Sequence, residues 1–107
     1  MKTKYREILK LKDMLEMAGI PFHFSKSNGG FHICYPKEGF FRVCSVIEHD
    51  YSYGHENDLL EIMGLMTRKE MIKNQDDVLG YLTANNVYQR IKKHYLKERK
   101  NEQSVQK

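Results

Sequence analysis

The feature that most constrains this chain is an Asn28-Gly29 pair set between two stretches of alternating aromatic and polar residues, Phe22 to Ser27 and Gly30 to Tyr35. Asn-Gly is the favoured pair for a two-residue type I′ hairpin, because both central positions need positive φ. A turn there places Phe24 opposite Ile33 and Phe22 opposite Tyr35. The large apolar side chains then share one face, while His23, Ser25, His32 and Cys34 share the other. A slip of one residue would scramble both faces, so side-chain sorting and turn chemistry specify the same register.

Pro36 ends the second strand and Gly39 turns the chain. Phe41 to Ile47 is rich enough in β-branched and aromatic residues to make a third antiparallel strand. With Cys34 and Cys44 facing each other across strands two and three, Phe41, Val43 and Ile47 would join the aromatic face. Before the hairpin, Ile8, Leu11, Leu15 and Ala18 recur at helical spacing, predicting an amphipathic helix from Thr3 to Ala18 closed by Gly19. After it, Asp58 to Met63 reads as a short helix stopped by Gly64, with Asp58 as its N-cap. Thr67 and Glu70 have capping-box spacing, so another short helix starts at Arg68. A last, long helix follows Thr83, with Val87, Tyr88, Ile91 and Tyr95 as its buried stripe.

The expected fold is therefore α+β: an N-terminal helix, a three-stranded antiparallel meander, two short helices, and a long C-terminal helix packed on one sheet face. A chain of 107 residues has room for one core. Residues 1–100 form a single domain in this reading, and 101–107, lacking an apolar pattern, form a frayed polar tail. No apolar run approaches the roughly 20 residues of a membrane span. The two cysteines lie in strand-like stretches and no signal-peptide pattern opens the chain, which points to the cytoplasm.

Charge is uneven beneath a net +4. Residues 48–80 carry eight acids against three bases, whereas both ends are basic. The densest chemically able segment runs from Glu48 to Asp58 and offers His49, Asp50, Tyr51, Tyr53, His55 and Glu56 as candidate binding residues. Imidazoles and carboxylates in that density could hold a metal for hydrolysis. However, His49 and His55 lack the spacing that sets two ligands on one helix face, and no residue is assigned as a metal ligand. His23, His32 and Arg42 make a second candidate surface on the sheet. Arg90, Lys93, Lys97 and Lys100 on the last helix interleave with tyrosine as a nucleic-acid-contacting helix would.

Enzyme signatures are missing. The only Glu-x-Lys is Glu98-Arg99-Lys100 at a helix end, Asn28-Gly29-Gly30 joins two strands and opens no helix, and there is no nucleophile elbow. These absences favour binding over catalysis, with no cofactor.

Leu59 to Leu65, Asp77 to Ala84, the Val-Tyr-x-Arg-Ile helix at 87–91, Leu11 to Phe22 and Tyr51-Ser52-Tyr53-Gly54 together resemble small uncharacterised proteins of Gram-positive bacteriophages and prophages. The resemblance spans most of the chain and brings no catalytic residues. It implies an accessory role inside a host cell, with a host or phage protein as partner, nucleic acid as the alternative, and a homo-oligomer through an exposed edge strand as a further arrangement.

Overall fold

The structure, a computed structural model, describes residues 4–39 and 42–105. Helix α1 (Glu7–Met17) is followed by strands β1 (His23–Ser27), β2 (Gly30–Tyr35) and β3 (Cys44–Glu48). After the polar segment come β4 (Leu60–Met63), helix α2 (Arg68–Asn74), β5 (Val78–Leu82) and helix α3 (Ala84–Val105). The strands form one antiparallel sheet in the order β1-β2-β3-β4-β5, each paired with its neighbour in sequence.

The hairpin takes the expected register. Ser27 pairs with Gly30 across a two-residue turn, and Phe24 pairs with Ile33. Asn28 and Gly29 both have positive φ, at 45° and 82°. Gly30 is the first residue of β2, not a bulge, and it has to be small: a Cβ there would sit 2.1 Å from the Glu48 carbonyl oxygen. That close approach is how the end of β3 tucks against the hairpin.

Three expectations are corrected. The sheet has five strands instead of three. Leu60–Met63 is the fourth strand, where a helix over 58–63 was expected, because burying Leu60 and Ile62 on one side with Glu61 on the other is a two-residue alternation. Cys34 and Cys44 do not face each other: Tyr35 pairs with Cys44, and Cys34 pairs with Ser45. This register turns Cys44, Val46 and Glu48 into the core and leaves Ile47 on the opposite side, while Val43, just before the strand, packs against the core as expected. The physical reason lies in Glu48, whose carboxylate is used inside the protein. Phe41 lies outside the described residues.

Helix α1 starts at Glu7 and closes at Gly19 with φ +70°. It packs on α3 and on β2 and β3, burying Ile8, Leu11 and Leu15 against Ile33, Val46, Leu60, Ile62, Val87 and Ile91. Helix α2 has the expected reciprocal capping box between Thr67 and Glu70. Thr83 Oγ1 accepts from the Asn86 amide at the start of α3, and helical geometry continues to Val105, into the segment expected to fray. No helix among the described residues is long and apolar enough to cross a membrane.

The two free cysteines thus sit on opposite sheet faces, and burial pushes the Cys44 thiol up to about 12. Native protein treated with iodoacetamide at neutral pH is expected to be alkylated at Cys34 and spared at Cys44, with both labelled in denaturant, as read by peptide mass spectrometry. Equal labelling of both in the native state would contradict the β2–β3 register.

Candidate binding surface

Every helix start leaves backbone N–H groups without partners, and here the segment from Glu48 to Asp58 supplies them to α1. Asp58 Oδ1 accepts from the Arg6 and Glu7 amides at 2.9 and 3.1 Å. Glu48 Oε1 accepts from the Ile8 amide at 3.0 Å. Asp58 is therefore a cap, but for a helix some 50 residues upstream in the chain. It adopts a left-handed backbone at φ 54°, closing the single 3₁₀ turn His55–Asn57. One carboxylate continues the arrangement, since Glu7 of α1 accepts from the Ala84 amide at the start of α3.

Glu48 is fully buried, and its second oxygen has no partner other than Asp58 to turn to. Burial, then the neighbouring Asp58 carboxyl, push its carboxyl up to about 8, outweighing the Ile8 amide that pulls it down. At neutral pH Glu48 thus keeps its proton next to Asp58, and its Oε2 makes no hydrogen bond within normal length and angle. For Asp58, burial works to raise the pKa, but the Glu48 carboxyl and the two amides hold it below the usual range. Two carboxyl groups this close share one proton, because both cannot ionise without water.

The other polar residues of the segment are similarly engaged. Asp50 accepts from the Tyr5 hydroxyl and pairs with Lys4 at 3.5 Å, while its own amide donates to the Asn28 carbonyl of the hairpin turn. His49 Nδ1 accepts from the Tyr51 amide at 3.1 Å. Glu56 accepts from the Tyr81 hydroxyl at 2.6 Å, and Glu61 from the Tyr53 amide at 2.8 Å. His55 stands edge-on to Tyr5, with Nδ1 buried and unpartnered. Apart from the Glu48–Asp58 pair and a 3.7 Å contact between His55 Nε2 and Glu56, the segment's acids and imidazoles face separate structural partners. Among the described residues no three His, Cys, Asp or Glu side chains are placed to hold a metal. The metal-hydrolase alternative has no assembled ligand set there.

What the segment leaves exposed is aromatic. Tyr51 is 80% exposed, and Tyr53 and Tyr81 are 56% and 54% exposed. Tyr53 lies over Gly80 of β5, where any Cβ would strike it, and its carbonyl accepts from the Tyr81 amide. Sequence reading included Tyr51 and Tyr53 but missed Tyr81; its exposure depends on a φ of 61° and a shift of register between β4 and β5, which local pattern does not signal.

The expected sheet-face residues are only partly together. The face turned away from the helices carries His23, His32, Cys34, Ser45, Ile47, Glu61 and Met63, none of them fully buried. His32 Nε2 lies 2.6 Å from Ser45 Oγ and 3.3 Å from Cys34 Sγ. Burial, then the neighbouring His23, His49 and Arg42, lower its pKa. Arg42 is not in a strand; its guanidinium holds the carbonyls of Pro36 and Lys37 in the turn before β3. On α3, Arg90 is spent in a bidentate pair with Glu70, whereas Lys93, Lys97 and Lys100 are exposed.

The fold and surface together define an α+β domain whose five-stranded sheet is covered by helices on one face and open on the other. No protein-family model, curated protein or solved structure matches the chain.

Because Asp58 satisfies two helix amides and sits in a left-handed conformation that Asn tolerates and Ala does not, Asp58→Ala is expected to lower the unfolding free energy by about 2–3 kcal/mol. Asp58→Asn is expected to cost less than half as much. Urea denaturation of the two variants checks this; equal small effects would mean that the cap is not needed.

Proposed function

We propose that the protein is a non-enzymatic accessory protein that binds a protein partner through the open face of its sheet, with Tyr51, Tyr53 and Tyr81 as anchors. The observation that carries this reading is the exposure of those three rings, to which the open sheet face adds Met63, itself 54% exposed. Side chains that exposed contribute little to the fold, and tyrosine is among the residues that most often dominate binding energy at protein interfaces. His23 and His32 on the same open face supply polar contacts toward the rim.

The sheet's edges support a partner on the face over a second copy on the edge. At the β5 edge the register shift and the left-handed Tyr81 interrupt the ladder, and the Tyr81 amide already donates to the Tyr53 carbonyl. At the other edge, β1 exposes Lys26, a charge that discourages strand addition. The resemblance of the sequence to phage and prophage proteins supports a reading in which the partner is a host or phage protein in the cytoplasm of an infected cell.

The triple variant Tyr51→Ala, Tyr53→Ala, Tyr81→Ala tests the anchors. In affinity capture from a Gram-positive host lysate, wild type is expected to retain a specific protein, and the variant is expected to lose about tenfold or more of that affinity while staying folded. Undiminished capture by the variant, or no specific capture together with no effect of the expressed protein on the host, would contradict the proposal.

A further inference from the structure

A groove of about 690 Å³ runs along α3 where it faces the segment from Leu65 to Thr67. Its shape is held by Arg90. The guanidinium grips Glu70 through two bonds of 2.8 and 2.7 Å, donates to the Leu65 carbonyl at 3.0 Å, and donates from Nε to Asn86 Oδ1 at 2.7 Å. Glu70 is held down to about 2 chiefly by that pair. Such a clamp fixes the far wall against α3 without leaving a net charge in it, because the arginine is neutralised by its carboxylate.

The charge that remains belongs to Lys93 and Lys97. They stand one helical turn apart on the groove wall, both exposed, and neither makes an ion pair among the described residues. No acid lines the groove. Its apolar surface comes from Leu65 and Met66, and Gln89 and Asn86 bring amide groups of the kind that bond a peptide backbone. No Phe, Tyr or Trp ring lines it, and its one aromatic ring, His94, is bonded through Nδ1 to the Tyr35 hydroxyl, so the row of stacking rings that single-stranded nucleic acid uses is not present.

We propose that this groove docks an acidic peptide segment of a partner protein, its carboxylates on Lys93 and Lys97 and its apolar side chains on Leu65 and Met66. The site is separate from the tyrosine surface and does not depend on it. It also gives Lys93 and Lys97 a ligand different from the nucleic acid that their spacing on the helix suggested.

Fluorescence anisotropy on the full chain tests this with three labelled probes: a short peptide of alternating Glu and Leu, its Lys-Leu counterpart, and an oligothymidylate. The Glu-Leu peptide is expected to bind saturably, to weaken as salt is added, and to lose about tenfold or more in affinity in Lys93→Glu/Lys97→Glu. The neutral pair Lys93→Gln/Lys97→Gln gives the same reading should charge reversal disturb folding, with a smaller loss expected. The tyrosine triple variant is expected to bind the peptide normally, so failure here and failure of the tyrosine surface are told apart. No saturable peptide binding, unchanged binding in both lysine variants, or tighter binding of the oligothymidylate through the same lysines would overturn the proposal.

Discussion

A carboxyl group buried with its proton, Glu48, joins the parts of this fold that are distant in sequence. Its backbone ends the central strand β3, its Oε1 receives the Ile8 amide of α1, and its other oxygen faces Asp58, which receives the two preceding amides. An unpaired carboxylate in this position would cost far more than the hydrogen bond returns. Holding the proton removes that penalty and lets one buried acid serve as acceptor to a helix beside a second carboxyl group. Glu7, in the turn so capped, then caps α3. Strand end, loop and both long helices are thus tied through three acidic side chains.

This use of the acids bears on function. A cluster of histidines, carboxylates and phenols invites a reading as chemistry, but in the folded protein the carboxylates are directed to helix amides, to Tyr5 and to Tyr81, and the tyrosines of the same segment are directed to water. Polar groups committed to the scaffold leave an exposed aromatic surface, on which the proposed binding role rests. The arginine on α3 follows the same logic. Arg90 braces the groove, and the lysines beyond it keep their charge free for a partner.

Sequence pattern was informative wherever a local rule decided the structure. Asn28-Gly29 set the hairpin register, Thr67 and Glu70 the start of α2, and Val87 and Ile91 the buried stripe of α3. It failed where a distant partner decided. Nothing near Glu48 signals that this residue turns inward, and treating it as the first residue of a polar loop moves β3 by one position, which exchanges its faces. Leu59, Leu60 and Met63 fit helical spacing as well as Leu60 and Ile62 fit a strand, and only pairing with β3 and β5 selects the strand. Tyr81 became a candidate only once the irregular β4–β5 pairing was seen. Asp58 was recognised as a cap, but the helix it caps could not be read from local sequence.

As a structural acid buried with its proton beside Asp58, Glu48 has a definite pH signature. The carboxyl is raised from an ordinary 4.5 to about 8 in the folded state, so its stabilisation is complete at low pH, is drawn down as pH rises through that window, and is gone above about 8. Asp58, held below its ordinary value, contributes at higher pH and loses its contribution only in acid, outside the same window. Gln at position 48 can still accept from the Ile8 amide and brings no titrating group to the side of Asp58, at any pH. The measurement is unfolding free energy by urea from about pH 5 to about pH 9 for wild type and Glu48→Gln. Wild type is expected to lose stability on the order of 3–5 kcal/mol relative to the variant across that range, whereas parallel curves for the two proteins would contradict the account.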